Sequence, residues 1–372
     1  PLASTTQSGT LAVTPAGVKA VLQQGTYSPV TIYARDSLRA AVEAGTGGKQ
    51  TVMYDDLGQP SYMVHIPAFT LGTIDPLLGA TTVLHPAFTQ NGVKRELWIG
   101  AYQARVYNGR ACSLPGVDPT GSVTFDTAKT ACTAKGAGWH LVNNWEWAAI
   151  ALWCLKNEFQ PRGNTDYGRS HEATYETGAR GDNGTPGATS GTGRTNTGSG
   201  PASWRHDGTF AGIADLVGNV SEWTDGLKLV DGKIYMPADN RPDLAEASWP
   251  DTGCRFDSTV AEGGAPVLSD AITNTVETGS CSVTWASMTK KAGLSVAASL
   301  AAAAIAPITH LDGGAYTEQP KGTIYMRNVG ERLPLRGGDW SYPSAAGLFF
   351  LDLLNFRSSV SPYFGFRPAF LA

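Results

Sequence analysis

Charge is scarce in this 372-residue chain. Asp, Glu, Lys and Arg make up 16% of it, against about 25% in ordinary globular proteins. The net charge is -4, which excludes the broadly basic surface that binds nucleic acid through its phosphates. Long apolar runs are also missing. The least polar stretch, 292–308, is Ala-rich and broken by Ser and Gly. It is too polar for a membrane span, which needs about 18 apolar residues or more, and reads as a buried or partly flexible segment. Five cysteines, at 112, 132, 154, 254 and 281, contain no CxxC pair, so a zinc-type cluster is excluded. Their odd number leaves one thiol free in any pairing; buried thiols and a single disulfide both remain open. Six histidines, at 65, 85, 140, 171, 206 and 310, show no short paired spacing. There is no G-x-S-x-G elbow, no HExxH and no Walker-type loop. No basic-then-apolar leader opens the chain.

What is abundant is glycine, with 44 residues, and proline, with 22, a composition that predicts many turns and little long helix. Residues 1–60 read as an N-terminal extension or a small module, with a β-rich run and then a helical pattern over 31–45 (TIYARDSLRAAVEAG). From residue 61 the texture changes, and 61–372 reads as one domain. YMVHIPAFTL (62–71) and RELWIGAY (95–102) have the aromatic and β-branched content of strands. DTAKTACTAKG predicts a short helix capped by Asp126 and stopped by Gly136. NWEWAAIALWCLKN (144–157) predicts a second helix behind an Asn cap. Residues 178–200 carry almost no apolar side chain and predict a long mobile surface loop. Residues 227–330 read as a large insertion.

Five segments stand in a distinctive order: MVHIPAF, ELWIGAY, GWHLVNNWEWAAIA (138–151), DLVGNVSEW (215–223) and RGGDW…GFRPAF (336–370). Together they resemble the formylglycine-generating-enzyme (sulfatase-modifying factor) branch of the C-type lectin fold. The resemblance implies an α+β domain, two helices with twisted antiparallel sheets and long loop insertions. On the residues themselves, Trp223 and Trp340 read as buried anchors, the Gly pair of RGGDW as a bulge or close approach, and Arg336 and Arg367 as structural donors. The enzymes carry two cysteines at the second and seventh positions after the RGGSW tryptophan. Here Tyr342 and Gly347 stand there, and no Cys follows Cys281. Thiol chemistry of that kind is therefore not expected. The EPN, QPD and WND strings of calcium-dependent sugar lectins are absent too.

A second branch of this fold fits the C-terminus better: the variable proteins of diversity-generating retroelements. Their variable region resembles RGG-x-W-NN-x-x-x-AG-x-F-x-L-N-x-NN…N-x-GFR, in which template Asn codons are altered at adenines. This chain keeps RGG, Trp340, Ala346, Gly347, Phe349, Leu351, Leu353 and GFR over a variable region of about 336–367. Asn codons changed at adenines cannot give Lys, Glu, Gln, Met or Trp. Those types make up 47 of the 372 residues, a share that would place about three in 341–364, which contains none. Between the fixed points lies a mix of Tyr, Phe, Ser and Asn like that of an antibody paratope.

The resemblance thus implies a non-enzymatic protein with a hypervariable binding surface. Its ligand would be a protein or other macromolecular surface, with no nucleic acid and no membrane span, at a virion or cell surface. The candidate positions are Asp339, Ser341, Tyr342, Ser344, Phe350, Asp352, Leu354, Asn355, Ser359, Ser361, Tyr363 and Phe364. Trp340, Leu348, Phe349, Leu351, Leu353 and Phe366 must then be buried while Tyr342, Phe350, Leu354 and Tyr363 reach solvent. The alternatives are an enzyme-like member lacking its cysteine pair and a phage or surface structural protein. No cofactor is required. A structural calcium site is implied by the enzyme family at Asp215 and Glu222, with carbonyls of Gly218 and Val220; against it stands a simple turn cap for Asp215 and an arginine partner for Glu222.

Overall fold

The computed structural model of the chain describes residues 36–306 and 320–372. The fold is α+β, with short helices and mostly antiparallel sheets. No helix among the described residues is long and apolar enough to cross a membrane. The β-rich run at the start of 31–45 lies outside the described residues, while its helical half is present as Ser37–Gly45, capped by Asp36.

The first sheet has five strands, in the order Gln50–Tyr54, Pro60–Ile66, Leu97–Gly100, Pro368–Leu371, Trp139–Leu141. The C-terminal strand thus sits between two strands from the first half of the chain. Gln50–Tyr54 pairs along its whole length with Pro60–Ile66. A boundary at residue 60 divides a hairpin, so the folded unit takes in residues before 61. The 62–71 run is a strand only to Ile66; its end turns into the short helix Leu71–Ile74.

A second sheet of six strands holds the C-terminal segment. Its order is Cys281–Thr284, Thr323–Met326, Gly347–Leu353, Leu335–Gly337, Ser221–Trp223, Phe364–Gly365. Thr323–Met326 runs parallel to Gly347–Leu353 and places Tyr325 beside Asp352. The third sheet is built mainly from residues 228–290 and is led by the long hairpin Asp251–Val260 and Gly263–Ser269. The 227–330 segment is therefore integral: it supplies five of the six strands of this sheet, the sixth being Glu331–Arg332, and two strands of the sheet that carries the C-terminus.

Helix Asn144–Lys156 lies at the centre, with 11 of its residues buried. A helix apolar on all sides belongs inside. Asn143 and Glu146 form a capping box at its start. The Trp147 indole donates to the Leu348 carbonyl at 2.8 Å, and the Trp145 indole to the Pro237 carbonyl at 3.0 Å. The other predicted helix spans Phe125–Thr133. Its cap is Thr124, whose hydroxyl accepts the Thr127 N–H; Asp126 sits in the first turn instead.

The 178–200 segment has no helix or strand, as its composition predicts, but it is not loose. The Arg180 guanidinium lies inside it, donating to the carbonyls of Thr185, Ala188 and Ser190 at 2.6–3.0 Å and pairing with Asp182 at 2.7 Å. A guanidinium carries five donors, and the loop wraps around Arg180 to meet them. The Ala-rich segment is buried over Leu300–Ala306, while 307 and 308 fall outside the described residues. All five cysteines are buried and free.

Arg367 is buried completely and joins three segments. Its Nε donates to Glu222 Oε2 at 2.8 Å and its Nη2 to Oε1 at 2.6 Å. Further bonds run to the carbonyls of Gly100 and Ala214 at 2.9 and 3.0 Å. Removing one partner of such a pair strands the other charge. Arg367→Ala should cost about 3–5 kcal/mol of stability, and Arg367→Lys should recover little, since an ammonium cannot make the bidentate contact. Denaturant titration of the two variants measures both.

Candidate ligand-binding surface

The segment from residue 335 to 365 crosses the second sheet three times. Between its first two strands, Gly337 and Gly338 turn the chain at φ of 86° and 80°. A Cβ at Gly337 would stand 2.6 Å from the Leu216 carbonyl oxygen, so glycine is required there. The ladder register also shifts at this point, which is the bulge that the Gly pair predicts.

Strand Gly347–Leu353 then presents two faces. Phe349, Leu351 and Leu353 join the main core with Leu348. Phe350 and Asp352 point the opposite way, as the two-residue period of a strand demands. There the rings of Tyr325, Tyr342 and Phe350 form a triangle, with centroids 5.6–6.0 Å apart. Tyr363 stacks on Trp340 at 4.5 Å on the adjoining side.

The anchors behave as the alternation requires. Trp340, Leu348, Phe349, Leu351, Leu353 and Phe366 are all buried. The twelve candidate positions divide. Ser344 is exposed; Ser341, Tyr342, Leu354, Asn355, Ser359, Ser361, Tyr363 and Phe364 are half-buried; Asp339, Phe350 and Asp352 are buried. Phe350 corrects the expectation of accessibility: Tyr325 and Tyr342 roof it, and nothing of it reaches solvent. Asp339, Tyr342, Phe350, Asp352, Asn355 and Tyr363 come together as one face, joined by ring contacts, by the Asn355 amide donating to Asp352 at 3.0 Å, and by the field of Asp339 on both tyrosines and of Asp352 on Tyr342. Phe364 leans the other way, onto Trp223 at 5.4 Å. Ser359 and Ser361 hold turns by accepting the N–H groups of Phe356 and Tyr363.

Asp339 is tied at one oxygen and Asp352 at both, its Oδ2 by the Asn355 amide. Asp339 Oδ1 accepts the Ser341 N–H at 2.8 Å and its hydroxyl at 2.7 Å. Asp352 Oδ1 accepts the Leu354 N–H at 2.8 Å. Burial pushes each acid up to about 6. Burial and the charges of Asp352 and Asp339 also push Tyr342 up.

Sequence reasoning missed Tyr325, the third ring, because it lies in the presumed insertion; its signal was the strand-like run TIYM. Arg357 was missed too. It pairs with Glu246, Asp126 and Glu331 at 2.5–3.1 Å and pins the 355–359 turn to helix Phe125–Thr133. With Phe356 and Ser358 it lines a cleft of about 420 Å³ beside the face.

The calcium donors do not fit an ion. Arg367 engages both oxygens of Glu222, and Gln103 donates to Glu222 and to the Val220 carbonyl. Asp215 Oδ2 accepts the Gly198 N–H at 2.7 Å. A cation beside Glu222 would face a guanidinium. Asp215, Gly218, Val220 and Glu222 are thus scaffold. Between them, Asn219 bonds Asn164, Thr195 and Gln103. Among the described residues no group of three or more His, Cys, Asp or Glu is placed to hold a metal. No family model and no curated protein matches the chain.

The raised carboxylates set a pH dependence. The folded state holds their protons where the unfolded chain has released them, so stability falls as pH rises from about 4 through about 6. In Asp339→Asn the amide oxygen keeps both Ser341 bonds and the charge is gone. This variant should be more stable by about 1–2 kcal/mol at pH 8 and no more stable at pH 4, as denaturation at the two pH values will read.

Proposed function

We propose that the protein is a non-enzymatic binding protein whose C-terminal face, within about 336–367, is diversified by a retroelement. The scaffold is the formylglycine-generating-enzyme-like branch of the C-type lectin fold, and the ligand is a macromolecule, a protein at a virion or cell surface. One observation carries this reading. The fixed points of the variable-region pattern are buried and bonded, whereas nine of the twelve positions between them reach solvent. A surface that accepts many residue types must stand outside the core, where a single methylene is felt.

Other features support it. The stretch 341–364 lacks the five residue types that adenine changes to Asn codons cannot produce. It exposes Phe356 and Val360, each about half accessible, and exposed apolar side chains beside Tyr and Ser suit a binding patch. The enzyme reading is disfavoured because Tyr342 and Gly347 occupy the positions of the cysteine pair, and the five cysteines present are buried elsewhere.

The DNA flanking the gene should contain an Asn-rich copy of the codons for 335–370 beside a reverse transcriptase; their absence would sink the proposal. In the protein, joint replacement of Ser344, Leu354, Asn355, Ser361 and Tyr363 should move the melting temperature by less than about 4 °C. Phe350→Ala, by contrast, should cost about 3–5 kcal/mol, or about 4–6 °C in a chain of this length. If the five-fold variant unfolds, these positions belong to the core and not to a variable surface.

A further inference from the structure

The same face carries two acids with no counter-ion. Asp55, Glu146, Glu222 and Asp225 are buried acids too, and each stands against a Lys, His or Arg, while buried Asp257 fills both oxygens with hydrogen-bond donors and Asp215 accepts the Gly198 N–H. Asp339 and Asp352, at 3% and 6% exposure, form no ion pair among the described residues. The cations around them are committed elsewhere. Arg327, whose charge acts on Asp352, donates to the carbonyls of Gly279 and Thr278 at 2.6 and 2.7 Å. Arg194, over the Trp340 ring, is held by Asp118 at 2.7 Å. Oδ2 of Asp339 receives no hydrogen bond from any described residue, and the Asp339 charge acts on Tyr325, Tyr342, Tyr363 and Asp352. The hydroxyls of those three tyrosines have no partner within the described protein either.

A buried carboxylate is stable when it is paired. An aromatic wall attracts a cation through the negative faces of its rings. The two features meet here, around Tyr325, Tyr342 and Phe350. We propose that this face binds a basic side chain, lysine or arginine, presented by the partner protein, with its cationic head between Asp339, Asp352 and the tyrosines. The inference rests on the binding-surface reading and names the chemistry that surface takes in this chain. An acidic ligand would meet two carboxylates, and a neutral one would leave them unpaired.

The groups that face this position are Asp339, Asp352, Tyr325, Tyr342, Tyr363, Tyr167 beside Tyr363, and Arg327. Of these, the two carboxylates titrate between pH 5 and pH 8. A cation binds their charged forms, so binding expels protons and strengthens as pH rises through about 6.

The test uses the full chain and three nine-residue Gly/Ser peptides, identical but for a central Lys, Gln or Glu, titrated by amide chemical-shift perturbation. The Lys peptide should saturate at least ten-fold more tightly than the Gln peptide, and the Glu peptide should not bind. Its affinity should rise several-fold from pH 5 to pH 7.5. Asp339→Asn, which should fold with undiminished stability, and Asp352→Asn should each reduce the Lys preference about ten-fold. Tyr325→Ala should weaken the Lys peptide while leaving both carboxylates in place. Equal binding of Lys and Gln peptides, no binding of the Lys peptide, or a preference untouched by both Asn variants would overturn the proposal. A diversified surface would survive that result, because it is judged by the flanking template and the five-fold variant.

Discussion

A guanidinium enclosed by protein is costly unless its donors are met, and those of Arg367 are met where three chain segments cross. Its fork closes on Glu222 from the Ser221–Trp223 strand and on the Gly100 and Ala214 carbonyls, the first of which ends a strand of the other sheet. None of these groups reaches water, so loss of any one of them strands the others. Gln103 extends the network by donating to Glu222 and accepting from Asn219. The polar centre thus fixes how the C-terminal strand enters the first sheet, and with it where the preceding thirty or so residues emerge on the second.

That placement separates two jobs along one short strand. Toward the core, Gly347–Leu353 meets helix Asn144–Lys156, and the Trp147 indole binds the Leu348 carbonyl rather than a side chain. Arg336, the buried neighbour on the next strand, reaches Asn144 of the same helix and the Ala304 carbonyl. The backbone of the face is therefore held by groups behind it. Side chains in front can differ without loosening those bonds, except where a ring such as Phe350 is itself roofed over. Exposure within the strand is consequently set by what covers each position and not by alternation alone.

Local signals in the sequence were sound where they depended on a few adjacent residues. The Asn cap of the central helix, the Gly337–Gly338 bulge and the Trp223 and Trp340 anchors were all legible, because caps, positive φ and large apolar rings act at short range. The cap at Thr124 was misplaced by two residues because Asp126 is an equally good acceptor in isolation. Long-range pairing was not legible. Nothing in TIYM announces that it will lie parallel to Gly347–Leu353, so Tyr325 was hidden inside an apparent insertion. The same limit applied to 178–200, where composition marks a loop but cannot reveal that Arg180 gathers its carbonyls into a bonded unit. Glu222 was legible as one of two alternatives, and its distant partner decided between them.

The two unpaired acids have a local cause that bears on the proposed diversification. Each ends a strand or turn by accepting the N–H two residues ahead, Ser341 for Asp339 and Leu354 for Asp352. This is the Asx-turn, which Asn forms equally well through its amide oxygen. The backbone at these positions therefore requires a short side chain with an acceptor and is indifferent to its charge. Under the proposed scheme, a template Asn at position 352 becomes Asp by a single adenine change, AAC to GAC. The turn survives that change, and a charge enters a site too buried to hydrate it. Apart from the Asn355 amide on its second oxygen, folding gives no reason for such a charge, since the neutral residue keeps the turn. A partner's cation does give one, because it is held by a carboxylate already fixed in place and loses little further freedom on binding.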